Sequence, residues 1–210
     1  DVLSIAYLLE AKAVVAFIFA GLATIFHEQI GLNLFLIESL YLIYMRRKDL
    51  RRLGKDLGIP VLAYLAVTGY PLFSALKTLS ATNLSGAGNF YIDFLRYRNP
   101  HHYFLSSVPG RVGWFALLCL LGLAGYIKKR KEDSDSRPAV FISIILFGIL
   151  VQFIFIEIFP VSLFAKPLFY RTSIFITLFI FQYAAFYLYS LILQSPGSFL
   201  VFFAALAVVF

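Results

Sequence analysis

Long apolar runs separated by short charged stretches form the main pattern of this sequence. Four runs contain no charged residue and are bounded by charge, proline or glycine: 59–76, 113–127, 139–156 and 172–193. A helix needs about 20 mostly apolar residues to cross the hydrocarbon of a bilayer. These four runs therefore predict membrane-spanning helices.

Two further runs carry charged residues inside them. Residues 3–26 contain Glu10 and Lys12, and residues 30–44 contain Glu38. Charges kept within spanning helices usually face protein or water rather than lipid. We expect both runs to span, and we interpret the shorter run 199–210 as a truncated span. The predicted fold class is all-α, a polytopic transmembrane helix bundle with about six spans plus a truncated seventh.

The composition agrees with a chain that lies in the membrane. The 210 residues are 61% hydrophobic and 14% charged, whereas an ordinary soluble domain is roughly 25% charged. The chain begins at Asp1 without methionine and ends inside an apolar run. We therefore expect a single transmembrane domain over 1–210 that is a fragment of a longer chain.

The basic residues predict the orientation. Residues 45–58 and 126–138 hold 11 of the 18 lysines and arginines. Two predicted spans separate these loops, so both lie on one side, which the positive-inside rule makes cytoplasmic. The N-terminus is then cytoplasmic and residues 78–111 form an external loop. Basic clusters of this kind are typical of membrane orientation, so the net charge of +7 does not indicate nucleic-acid binding.

The residues suited to chemistry gather on the predicted external side. They are His27, Glu28, Asp93, Arg96, Arg98, His101, His102, Arg111, Glu157, Lys166 and Arg171. The run HEQIG at 27–31 begins like a zinc-protease helix, but Gly31 stands where the second histidine is needed. The side chains of His101 and His102 point apart if the backbone is extended after Pro100. A divalent metal would need further ligands from His27, Asp93 or Glu157, and it stays open as a cofactor.

An anion site is the simplest functional interpretation of the 78–111 loop. One of its histidines would move a proton or donate a hydrogen bond. Arg96, Arg98 and Arg111 would hold an anion such as phosphate, whose oxygens match the planar guanidinium. The alternative is a basic interfacial loop that contacts lipid headgroups.

Arg171 is the most informative single residue because it begins the long uncharged run 172–193. An unpaired charge is costly there, so the side chain should reach the interface or serve a site. Glu157 is a potential partner, with Lys166 nearby in sequence. A lipid-linked phosphate at the external membrane boundary would meet an arginine placed in this way.

Several segments together resemble a known group of proteins. In order, the chain has AGLATIFHEQIGLNLF, a basic loop, RNPHHY, EIFP and LFYRTSIF. This arrangement resembles bacterial multi-spanning proteins that carry an R-x-PHH-[YF] motif, and its layout is similar to that of GT-C glycosyltransferases. The likeness runs over most of the chain, although only PHHY and the intramembrane arginine are specific.

The resemblance implies a glycosyltransferase in a bacterial inner membrane, using a polyprenyl-phosphate-linked sugar at the external face. Arg171 would match the basic residue near the lipid phosphate, and His101 and His102 would line the same cavity. The acidic first external loop of GT-C enzymes would lie upstream of Asp1, so Asp93 or Glu28 would have to supply the catalytic carboxylate. A carrier with Glu10, Lys12, Glu38 and Arg171 along its path is one alternative, and a non-catalytic membrane scaffold is another.

Overall fold

A computed structural model describes residues 2–81, 88–98, 109–132, 135–159, 161, 169–194 and 197, and no strand occurs among them. The helices are α1 (Val2–Leu9), α2 (Ala13–Phe26), α3 (Glu28–Arg46), α4 (Leu50–Ala81), α5 (Gly88–Arg98), α6 (Pro109–Glu132), α7 (Arg137–Phe153) and α8 (Ser173–Gln194). A π-helical turn, Ile154–Ile158, follows α7, and a 3-10 turn, Phe169–Thr172, precedes α8. The all-α class is confirmed for this part of the chain.

Four helical segments of the described residues are long and apolar enough to cross a membrane. They are Arg51–Ser74, Val112–Lys131, Arg137–Ile158 and Phe169–Leu193. They contain nearly all of the four charge-free runs, and they fit an integral membrane protein. The total of about six spans stays a prediction, and the run 199–210 lies outside the described residues.

The run 3–26 is two helices rather than the single span expected from the sequence. Ser4 Oγ donates to the Ala16 carbonyl at 2.8 Å, whereas twelve residues of continuous helix would separate them by about 18 Å. The break has Schellman geometry: Lys12 N–H bonds the Tyr7 carbonyl and Ala11 N–H bonds the Leu8 carbonyl. Ala11 has φ 63°, the left-handed conformation that this C-cap requires. α1 therefore packs against α2 instead of extending it.

Helix also extends into the predicted loops. α3 ends at Arg46 and α4 begins at Leu50, so most of the 45–58 stretch is helical. α5 occupies the middle of the predicted external loop 78–111. On α5, Ile92 and Leu95 are buried three residues apart on one face.

The described contacts group into two compact units: Asp1–Ser107 with Arg137–Ser173, and Val108–Ser136 with Ile174–Phe210. In the first unit, α2 packs against α1, α3 and α4, and α3 packs against α7. Its most buried large side chains include Phe17, Leu34, Tyr64 and Phe141. In the second unit, Tyr126 of α6 meets Tyr183 of α8 edge to face at 5.4 Å. The single domain expected over 1–210 stays a prediction.

Candidate functional site

A hydrogen bond between Arg171 and His27 joins two distant parts of the first unit. Arg171 Nη1 lies 3.0 Å from His27 Nε2. Arginine has only donors, so His27 accepts through Nε2. The sequence suggested Glu157 as the partner of Arg171, and the partner that the structure shows is His27. We call these two residues and their surroundings the His27–Arg171 site.

A very tight corner places His27 at this position. α2 ends at Phe26 and α3 begins at Glu28, so His27 is the only link between them, with extended φ −151°. Close packing follows: a Cβ on Gly31 would overlap the backbone nitrogen and Oγ1 of Thr24. Only glycine at 31 lets the first turn of α3 approach α2 this closely.

A buried polar contact fixes the same end of α2 to α4. Thr24 Oγ1 lies 2.9 Å from Tyr64 Oη and 2.9 Å from the Ala20 carbonyl. The single hydroxyl hydrogen of Thr24 goes to the carbonyl, so the Tyr64 hydroxyl donates to Thr24. Phe35 of α3 stacks on the Tyr64 ring with centroids 4.2 Å apart. These contacts join α2, α3 and α4 about one helical turn before His27.

Arg171 is held by the 3-10 turn that enters α8. The backbone N–H of Tyr170 donates to Oε1 of buried Gln152 at 3.1 Å. Thr172 Oγ1 donates to the Phe169 carbonyl at 2.5 Å. Gly148 leaves space for Phe169, since a Cβ there would lie 2.8 Å from the ring. α7 therefore supplies the surface that positions the arginine.

Glu28 and Glu157 are the acids nearest to this site along the chain. Glu28 is exposed in the first turn of α3, next to His27, where a negative charge suits the helix dipole. Glu157 is half-buried in the π-helical turn. π-helical turns frequently occur at functional sites. The site thus combines an arginine and a histidine, with one acid beside the histidine.

The arrangement can bind an amphiphilic anion. The bond to His27 occupies Nη1 of Arg171, and the remaining guanidinium N–H groups can take a second acceptor. Phe26 beside His27 is 88% exposed, and Phe159 beyond the π-helical turn is 61% exposed. Such apolar side chains suit the hydrocarbon part of a lipid, while the arginine suits its phosphate.

Three of the other predicted site residues lie on α5. Asp93, Arg96 and Arg98 are exposed on α5, and Arg98 lies over the Phe94 ring at 5.7 Å. Arg111 lies in the first turn of α6, in the second unit. His101, His102 and Lys166 lie outside the described residues. The described part of the chain contains no group of three His, Cys, Asp or Glu side chains that could hold a metal.

Sequence reasoning missed the residues that position the site. Gly31, Thr24, Tyr64, Gly148 and Gln152 look like ordinary members of apolar runs. Gln152 alone gave a signal, because a polar amide inside a charge-free span needs a partner. Of the proposed carrier residues, Glu38 lies apart from His27, since it follows Glu28 on α3 by ten residues, about 15 Å along the helix.

No protein-family model, curated protein or solved structure matches the chain.

Proposed function

We propose that this chain is a GT-C-like glycosyltransferase, or part of one, that acts on a polyprenyl-phosphate-linked sugar at the external membrane face. The observation that carries the proposal is the hydrogen bond between Arg171 and His27. It fixes a guanidinium at the start of an apolar span, and this position supports the proposal because the ends of membrane spans are where we expect lipid phosphates.

Arginine is suited to this task by its geometry. Its planar fork donates two parallel hydrogen bonds to phosphate oxygens, and charge-assisted bonds of this kind are about twice as strong as neutral ones. His27 restrains Arg171 from one side and leaves the rest of the guanidinium for the ligand. The exposed rings of Phe26 and Phe159 would accompany the first isoprene units.

The reaction would be a substitution at the anomeric carbon of the sugar. The acceptor hydroxyl oxygen forms a bond to that carbon, and the bond from the carbon to the phosphate oxygen breaks. Polyprenyl phosphate leaves with the electron pair, and Arg171 stabilises its charge. A general base takes the proton of the acceptor; the candidates are Glu28 beside His27, and Asp93, His101 and His102.

A carrier is the second candidate, and Glu38 is the observation that favours it. Glu38 is fully buried, and its Oε2 has no hydrogen-bond partner among the described residues. Its other oxygen bonds Ser4 Oγ, which also lies 2.8 Å from the Ala16 carbonyl. Because Ser4 has one hydrogen for two acceptors, a protonated carboxyl satisfies both contacts. A buried carboxyl that holds a proton suits a proton-coupled carrier.

Binding of undecaprenyl phosphate by the full-length chain in detergent tests the leading proposal. Arg171→Ala should weaken binding by about 10- to 100-fold, the value of charge-assisted hydrogen bonds worth about 1.5–3 kcal/mol. The affinity of Arg171→Lys should fall between those of the wild type and Arg171→Ala, because lysine keeps the positive charge but lacks the planar guanidinium group. Arg130→Ala is the matched control, since Arg130 is an exposed arginine near the end of α6.

Equal binding by Arg171→Ala and Arg130→Ala would overturn the assignment of Arg171. Glycosyl transfer in membranes should be abolished by Arg171→Ala and by His102→Ala at unchanged protein level. Thermal unfolding of each variant shows whether a loss reflects the site or the fold.

A further inference from the structure

A cleft lies at the opposite end of α2 from the His27–Arg171 site. It forms where the break between α1 and α2 meets the last turn of α3 and the first half of α4, all within the first unit. Its volume is about 440 Å³, within the roughly 300–1,000 Å³ of ligand sites. We call it the α2–α4 cleft.

Three of the four charged side chains that line this cleft are basic. They are Lys12, Arg46 and Lys55, with Asp56 as the acid, and we call these four the rim. Asp56 bonds Nε of Arg46 at 2.8 Å, so the Nη groups of that arginine stay available to a second acceptor. Lys12 shares its ammonium with Glu10 at 2.8 Å. Lys55 has no ion-pair partner among the described residues.

The other side chains that line the cleft are apolar. They are Val14 and Val15 of α2, Leu42 of α3, and Ile59 and Pro60 of α4, and we call them the apolar wall. The start of α2 adds to the charge of the rim, because no side chain caps its first amides and the positive end of the helix dipole lies there.

The sequence around the cleft predicts its level in the membrane. α4 carries Arg51, Arg52 and Lys55 in its first turns, and its charge-free run begins at Ile59. The segment of α4 that could cross the membrane begins at Arg51. We therefore expect the cations at the membrane boundary and the apolar side chains toward the hydrocarbon.

We propose that the α2–α4 cleft binds an anionic phospholipid, with the phosphate among Lys12, Arg46 and Lys55 and an acyl chain along the apolar wall. A free phosphate ion would contact only the basic side chains and would leave the apolar wall exposed to water. A phospholipid would contact both, so it fits the cleft better. Basic pockets between helices on the cytoplasmic side recognise anionic headgroups in this way. The positive-inside rule predicts that same side for this end of the bundle. The inference is independent of the proposed transferase activity.

Native mass spectrometry of the full-length chain from micelles with equal phosphatidylglycerol and phosphatidylcholine tests the proposal. The wild type should retain more phosphatidylglycerol than phosphatidylcholine. Lys55→Gln should lower the ratio of the two adducts by about fivefold, since each basic residue near a membrane surface is worth about 1 kcal/mol. Lys48→Gln is the matched control: it removes the same charge from the same basic stretch at an exposed position outside the cleft.

A second variant separates the cleft from diffuse surface charge. Ala13→Trp fills the cleft without changing any charge and should also lower the preference, provided that thermal unfolding shows an intact fold. Arg171→Ala should leave it unchanged, so a failure here is distinguishable from a failure of the transferase proposal. The proposal is overturned by an absent preference in the wild type, by equal loss in Lys48→Gln, by an unaffected Ala13→Trp, or by displacement of the lipid with inorganic phosphate.

Discussion

Replacement of Gly31 by alanine is the sharpest test of how the His27–Arg171 site is built. The added methyl group would overlap the backbone nitrogen, Cα and Oγ1 of Thr24. Two of these atoms belong to the backbone of α2, so no side-chain rotation can relieve the clash. The first turn of α3 must move away from α2, and His27 and Glu28 must move with it.

The magnitude follows from three contributions. Overpacking of this kind costs about 1–3 kcal/mol. Disturbing the hydrogen bond between Tyr64 and Thr24 costs a further 0.5–1.5 kcal/mol or so. The higher helix propensity of alanine offsets about 1 kcal/mol of this loss of stability. Gly31→Ala should therefore lose about 0.5–3.5 kcal/mol of unfolding free energy.

Equilibrium unfolding in detergent, followed by circular dichroism, measures this loss. Gly58→Ala is the matched control, because Gly58 lies in α4 with no atom within 4 Å of an added Cβ; it should be neutral or stabilising. A Gly31→Ala protein as stable as Gly58→Ala would refute the close approach of α2 and α3. Binding of undecaprenyl phosphate should also fall in Gly31→Ala, since the partner of Arg171 is displaced.

Two further outcomes follow from α1 and its contacts. Ala11→Gly should stabilise the chain by about 1 kcal/mol, because the left-handed φ of 63° costs alanine about that much and glycine nothing; the same unfolding assay would contradict this by showing a loss. In vesicles with a pH-sensitive dye, a proton-coupled carrier should show proton uptake that Glu38→Gln abolishes and Asp49→Asn, at an exposed position outside the proposed path, does not. Absence of uptake by the wild type would remove the carrier alternative.

The apolar runs were sufficient to predict the four long helices. Together with its flanking residues, each run had the length and composition that a bilayer demands of a helix, and this requirement is local to the segment. The loops were predicted less well, since α4 begins at Leu50 and α5 occupies 88–98. Charge marks the end of a membrane span, but it does not end a helix that can continue in water.

The break between α1 and α2 had no sequence signal that could be read. Helices usually turn at glycine or proline, and here Ala11 adopts the left-handed C-cap conformation instead. Contacts distant in sequence accompany the break: Ser4 bonds the Ala16 carbonyl, and Arg137 donates to the Leu9 carbonyl at the end of α1. Propensity within a window of residues cannot register such contacts.

The sequence was enough to identify Arg171 and His27 as candidate site residues. Polar side chains next to apolar membrane runs are expensive to bury, so they usually have a partner or a function. The pairing of these two residues across 144 positions depends on packing that no local pattern encodes. The pairing requires a residue without a side chain at Gly31, so that α3 can approach Thr24. It also requires the hydrogen bond from the Tyr170 N–H to Gln152. Membrane helices follow from hydrophobicity one segment at a time, whereas a site between helices depends on which side chains permit their close approach.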